Sequence, residues 1–337
     1  MTLQVIDDRW EELMKKYFFF KMLREDTEWS YRKVVSNLRS FLGPEHSPDL
    51  ITEWEVLSWR RYLLKDKQRS VHTWNNKVAH MRALYNFWSH KGYINITENP
   101  FNGVSAKAVG KRKKTLSMKQ MTTICLTMEM FAEYEQRNGS YGKKCALFPT
   151  WYWMVVIDTL RYTGMRLNQL FHIRLRDINL DEGWIELRTE GSKTYREWRI
   201  PIVRQLMPGI KMLLEKAREF EAKGDDPLFH YERFVSTRYN RHLLTKMPSL
   251  QPLRSFFNRL SSECGFTVSP HRFRHSLATL LMTAPDRNIQ MVKGLLGHRS
   301  LSTTMEYIDI DIQNTGRTLE MELSLHMDKK KVSGFDS

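Results

Sequence analysis

The chain has 337 residues, with 53 Lys and Arg against 38 Asp and Glu, a net charge of +15. Hydrophobic residues at 41% and charged residues at 27% are ordinary globular values, so a wholly disordered chain and a collagen-like repeat are excluded. The length suggests two domains, and the excess of positive charge points to a polyanionic partner: nucleic acid first, an anionic membrane surface second. Three scattered cysteines, Cys125, Cys145 and Cys264, without C-x-x-C spacing argue against a disulfide framework or a zinc site. The acidic N-terminus does not read as a signal peptide, and no run of about eighteen apolar residues occurs, so a cytoplasmic protein without a membrane span is expected.

Residues 1–104 read as a helical module. Trp29, Tyr31, Val34, Val35, Leu38, Phe41 and Leu42 fall at helical spacing, and Gly43-Pro44 ends the run. Trp54, Leu57, Trp59, Tyr62 and Leu63 suggest a second helix. Residues 73–90 suggest a third, with Val78, Met81, Leu84, Tyr85 and Trp88 as its apolar stripe. All these aromatics are expected in the core. Lys77 and Arg82 lie among the polar positions of the third helix and are candidate DNA contacts. Residues 105–115 form a basic linker carrying Lys107, Lys111, Arg112, Lys113 and Lys114, a run suited to crossing phosphates. Residues 1–120 hold 22 basic and 13 acidic side chains, so charge density is highest in this first third.

The second segment, 116–327, is again mostly helical, with an apolar stretch from Tyr152 to Leu160. Its period changes after Arg166: Gly183–Arg188 and Trp198–Ile202 alternate like strands around a polar turn, predicting a small antiparallel sheet. Helices then resume, and residues 328–337 read as a disordered tail.

Four short stretches could carry chemistry. In Thr163-Gly164-Met165-Arg166 a glycine precedes a helix that aims a guanidinium, whose planar fork matches phosphate oxygens. Lys193 sits in the hairpin turn. Ser269-Pro270 can open a helix on which His271 and Arg274 share a face, an arrangement suited to an anion. His230-x-x-Arg233 has the same spacing but no such cap. In Leu296-Gly297-His298-Arg299, Gly297 breaks one helix, and Ser302 or Thr303 opens another that carries Tyr307, nine residues after His298.

Taken in order, Arg166, Lys193, His271, Arg274, His298 and Tyr307 make the chain resemble the tyrosine recombinase (phage integrase) family over nearly its whole length. TGMRLNQL, GSKTYREWRIPI, PHRFRHSLATLL and LGHRSLSTTMEY resemble its four boxes, and the helical first third with Asn99-Pro100-Phe101 resembles its core-binding domain. Two positions depart from the pattern: Gln169 stands where an acidic residue is common, and Asp309 where a histidine often follows the tyrosine. The resemblance implies a mainly α fold with a small antiparallel β-sheet, arranged as a two-domain DNA clamp. It implies a nucleophilic Tyr307, a general acid Lys193, phosphate binding by Arg166, Arg274 and His298, and proton transfer at His271. It further implies strand exchange without metal, cofactor or ATP, on double-stranded DNA sites held by a homotetramer on two duplexes, with accessory DNA-bending or directionality proteins as possible partners. Ile312, Leu319, Leu323 and Met327 would form a C-terminal docking stripe. A relaxing type IB-like topoisomerase, a telomere resolvase and a non-catalytic DNA-binding regulator of the same fold are the alternatives, and a basic RNA-binding protein lacks the aromatic motifs it would need.

Overall fold

A computed structural model describes residues 9–107, 114–139, 145–191, 197–235, 244, 247–283, 288–298 and 300–305. It divides into two compact units, residues 1–111 and 112–337. Lys111, Arg112, Lys113, Lys193 and Tyr307, together with the proposed docking stripe and the tail, lie outside the described residues.

The first unit contains α1 (Arg9–Lys21), α2 (Glu25–Leu42), α3 (Glu53–Arg61) and α4 (Val71–His90). Trp10, Leu13, Met14, Tyr17 and Phe18 recur at three- and four-residue intervals, so α1 buries one face against α4. Trp74, Val78, Met81, Leu84, Tyr85 and Trp88 line the buried side of α4. Trp59 and Trp74 meet edge to face at 5.2 Å, and Trp88 Nε1 donates to the Leu13 carbonyl at 2.9 Å. Thr52 and Glu55 form a reciprocal capping box at the start of α3. Two aromatics expected in the core are outside it: Trp29 is 64% and Trp54 77% exposed. Helical spacing identifies a shared face, but Trp29 lies at the α2 entrance and Trp54 in the first turn of α3, beyond the surfaces their helices cover.

The chain leaves α4 through a turn fixed by Asn99, whose Nδ2 donates to the Arg82 carbonyl and to Asn86 Oδ1 while its Oδ1 accepts from the Phe101 N–H. Residues 105–106 are not yet a free linker: the Asn75 amide bonds both the N–H and the carbonyl of Ala106 at 2.9 Å.

The second unit is built around α6 (Thr150–Thr163), buried along most of its length, with Trp153 stacked on Phe256 at 4.2 Å. Helices α5 (Met118–Asn138), α8 (Met207–Glu219) and α11 (Pro270–Thr283) pack against it. After the short α7 (Leu167–His172) comes an antiparallel sheet in the order β1 (Ile178–Asn179), β2 (Trp184–Leu187), β3 (Trp198–Pro201). Ile185, Leu187 and Ile200 face the core. The remaining described α-helices of this unit are α9 (Glu232–Val235), α10 (Gln251–Cys264), α12 (Ile289–Leu296) and α13 (Leu301–Met305). Helix α13 opens at Leu301, a residue or two earlier than expected, because the Ser300 hydroxyl accepts from the Ser302 N–H. The fold is therefore mainly helical with a small antiparallel sheet. No described helix is long and apolar enough to cross a membrane.

Candidate active site

The site grows from the end of α6. Gly164 closes that helix in the left-handed region, φ +61°, and its N–H returns to the Leu160 carbonyl at 3.0 Å. The positive φ favours glycine, and a Cβ at this position would lie 2.9 Å from Leu277 Cδ2 and 3.1 Å from Leu296 Cδ2, so both leucine ends would have to shift. The tight corner brings α11, the end of α12 and the Arg166 segment together. Gln169, almost fully buried, accepts the Arg166 N–H on Oε1 at 2.8 Å and fixes the start of α7. A carboxylate at that position could accept the same bond; here the amide oxygen does so, while the buried Nε2 of Gln169 has no hydrogen-bond partner among the described residues.

Arg274 lies one turn into α11 and is 4% exposed. Its Nη1 donates to the Gly164 carbonyl at 2.7 Å, and its Nη2 to the Leu296 carbonyl at 2.8 Å and to His298 Nε2 at 2.8 Å. The guanidinium is thereby aimed by two main-chain oxygens from two different helix ends. Gly297, at φ +62°, ends α12, and the His298 N–H caps it by bonding the Lys293 carbonyl at 3.0 Å. The His298 ring is buried at 4% exposure. A guanidinium cannot accept a hydrogen bond, so Nε2 is the bare nitrogen and Nδ1 carries the proton, donated to Thr304 Oγ1 at 2.9 Å. In this tautomer His298 donates through Nε2 only after that nitrogen gains a proton.

His271 is exposed one turn before Arg274, with its ring 6.4 Å from that of His275. Of the six expected residues, the structure thus gathers Arg166, Arg274 and His298 around the Gly164 corner, with His271 on the adjoining turn. The competing His230-x-x-Arg233 pair is elsewhere and structural: both residues are buried, and Arg233 donates to the Pro227 and Leu244 carbonyls. Sequence reasoning missed Thr304 and Trp198. Thr304 lies inside a recognised box, yet a threonine hydroxyl gives no signal until a ring nitrogen is seen facing it. Trp198 is half-buried on β3, and its Nε1 donates to the Leu295 carbonyl at 3.3 Å. Among the described residues, no group of three or more His, Cys, Asp or Glu side chains could hold a metal ion.

The candidate DNA contacts of the first unit stand in different settings. Lys77 is half-buried near Lys33 and Arg69; burial and then these like charges hold its ammonium below its ordinary pKa. Arg82 is committed internally: Nε and Nη2 donate to the Phe101 carbonyl at 3.1 and 3.0 Å, and Nη2 also reaches Ser105 Oγ. Lys107 and Lys114 are exposed.

The site is thus a buried arginine aimed by two helix ends beside a histidine, on a helical unit with one small antiparallel sheet. The chain belongs to the phage integrase family, whose model matches residues 130–314. Its similar relatives include a putative tyrosine recombinase XerC of Pseudomonas aeruginosa, 32% identical over 302 residues, covering 89% of this chain and 69% of that one. A putative tyrosine recombinase XerC of Pseudomonas syringae is 32% identical over 300 residues, and this chain spans only 61% of its length. XerC of Listeria innocua is 28% identical over 85% of this chain and 87% of its own. Among solved structures, the Tn1549 transposon integrase in complex with a circular intermediate DNA superposes with a TM-score of 0.64 at 18% identity, covering 92% of this chain and 98% of that one. A lambda integrase tetramer bound to a Holliday junction gives 0.63 at 16% identity, covering 89% and 76%. These two share the fold.

Proposed function

We propose that this chain is a site-specific DNA recombinase that cleaves and rejoins strands through a 3′-phosphotyrosyl intermediate. The observation that carries the reading is Arg274, buried and aimed by the Gly164 and Leu296 carbonyls beside His298. In the proposed step the Tyr307 phenol oxygen bonds to phosphorus and the bond to the 5′-oxygen breaks. The phenol proton leaves by way of His271, and the 5′-oxygen takes a proton from Lys193. Arg166 and Arg274 offset the charge that develops on the non-bridging oxygens, and His298 adds a hydrogen bond once Nε2 is protonated. The energy of the phosphodiester stays in the tyrosyl ester, so religation by the reverse step consumes no nucleotide. The substrate is duplex DNA, and a homotetramer on two duplexes serving a mobile element or replicon is the assembly we assign.

The test is covalent capture. A pool of nicked duplexes of randomised sequence is incubated with the protein, and adducts are isolated under denaturing conditions and sequenced. The reading expects adducts on the 3′ side of the nicked strand, enriched for one inverted-repeat sequence, and none with Tyr307→Phe. Adducts without sequence enrichment would instead indicate a relaxing topoisomerase. Adducts that persist in Tyr307→Phe would remove that residue as nucleophile.

A further inference from the structure

Helix α13 buries its residues against the usual order. Leu301 and Met305 are 40% and 48% exposed, while Thr304 between them is fully buried. Ser300, Ser302 and Thr303 are exposed. Burying a hydroxyl costs free energy unless a hydrogen bond offsets it. The partner here is His298 Nδ1, at 2.9 Å. The backbone of His298 is held by other means: its N–H caps α12 on the Lys293 carbonyl, and Gly297 makes the turn before it. Those features place the Cα but leave the ring free to turn about its Cβ–Cγ bond. Two contacts at different corners of the ring oppose that motion, Arg274 Nη2 at Nε2 and Thr304 Oγ1 at Nδ1. They are not equivalent. A guanidinium only donates, so its bond requires a bare Nε2, whereas a hydroxyl accepts from Nδ1–H in both the neutral ring and the imidazolium.

We propose that Thr304 is the positioning residue of His298: its hydroxyl orients the imidazole in the state that donates to the phosphate. The inference rests on the assignment of His298 to the phosphate. In the donating state Nε2 carries a proton and no longer accepts from Arg274, so of the two bonds the one to Thr304 survives. An uncharged acceptor suits this task. A carboxylate in its place would favour the charged ring throughout, whereas a hydroxyl orients both states and leaves the proton free to come and go. Loss of the hydroxyl leaves a buried Nδ1–H unpaired and lets the ring turn away, with phosphate binding by Arg166 and Arg274 intact.

The experiment uses the full chain with its histidines labelled with nitrogen-15. Of the 11 histidines, His298 is identified by the signals that His298→Gln removes. At neutral pH the unsubstituted protein should show a protonated Nδ1 and a bare Nε2. Thr304→Ser should keep that pattern. Thr304→Val, which keeps the shape and removes the acceptor, should draw the two nitrogen shifts together. Single-turnover cleavage of a captured nicked duplex is then measured on the same proteins. Thr304→Val should be slowed about 10-fold, short of the roughly 10²–10³ that loss of the donor itself costs and that His298→Gln reports. Its DNA affinity, and the cleavage rate of Thr304→Ser, should each stay within about threefold of the unsubstituted protein. Thr304→Ala, also without the acceptor, should behave as the valine variant does and decides the matter if that variant does not fold. A proton on Nε2 of the unsubstituted protein would overturn the inference. Thr304→Val at the full rate while His298→Gln is slow would overturn it alone, as would a serine variant as slow as the valine one. His298→Gln at the full rate would overturn the assignment of His298 and the inference with it. An unsubstituted chain that forms no adduct at all would overturn the recombinase reading on which both rest.

Discussion

Arg274 shows how a single residue's setting decides its chemistry. A guanidinium with three N–H bonds inside the protein cannot rotate away from the corner, so the fold itself fixes its orientation. Arg274→Lys keeps the charge but not the fork. We expect it to slow cleavage about 10²- to 10³-fold with DNA affinity changed only a few-fold, read from single-turnover rates beside filter binding. Gly297 is a second case. An alanine there combines a left-handed φ with a clash against the Trp198 ring, and should destabilise the protein by about 2–4 kcal/mol in urea denaturation. In a Trp198→Ala background the clash vanishes while the φ strain remains. The cost should then fall to about 1–2 kcal/mol, and a cost unchanged in the double variant would show that the ring is not the obstacle.

At the scale of the element, helix ends carry much of the order. The α3 capping box joins the Thr52 N–H and hydroxyl to Glu55 Oε2 at 2.8 and 2.9 Å, and His46 Nε2 meets Glu55 Oε1 at 2.8 Å. Burial alone would raise the Glu55 carboxyl, but the bonds from Thr52 and the contact with His46 outweigh it and hold the group below its ordinary pKa. Thr52→Ala should cost about 1 kcal/mol. Because the folded pKa is the lower one, the contribution of the Glu55 charge is present above the unfolded value of about 4.3 and is lost as the pH falls through the folded value. The stability gap between Glu55→Gln and the unsubstituted protein, measured in urea at pH 7 and again near pH 3, should therefore narrow in acid. A gap of constant size would mean that the carboxylate charge is irrelevant to the cap. The same scale explains what periodicity could and could not tell. The stripes of α2 and α4 were legible because burial repeats with the helical turn. The exposure of Trp29 and Trp54 was not, since spacing within a helix says nothing about where its neighbour ends.

For the whole molecule, the two-unit clamp and its basic connection remain a proposal about how the chain holds DNA. Lys107 and Lys114 flank the run Lys111, Arg112 and Lys113. If these five side chains cross phosphates, replacing them with glutamine should weaken binding to all sequences. It should also reduce the slope of log affinity against log salt by about 0.9 for each phosphate no longer neutralised. A shifted sequence preference at constant slope would assign them to base readout instead. Arg82 should contribute little to that slope. Its guanidinium serves the Phe101 turn, and Arg82→Gln is expected to lower stability more than DNA affinity, read by thermal melting beside a salt titration.

The sequence by itself determined the helical first third, the small sheet, the glycine ahead of the Arg166 helix, the helix break at Gly297, and the ordered set of basic and histidine residues, because each is written in local spacing, turn chemistry or motif order. It also separated His271-x-x-Arg274 from His230-x-x-Arg233 by the Ser-Pro opening of the helix. Only the tertiary structure decided which main-chain oxygens aim Arg274, which His298 nitrogen is bare, that Thr304 accepts a hydrogen bond from the other, and that Trp198 joins a strand end to a helix end. The two longest of those bonds, from Trp198 and from Arg274 Nη1, link residues 97 and 110 positions apart and run to carbonyls that every residue type possesses, so no pattern of side chains along the chain could announce them.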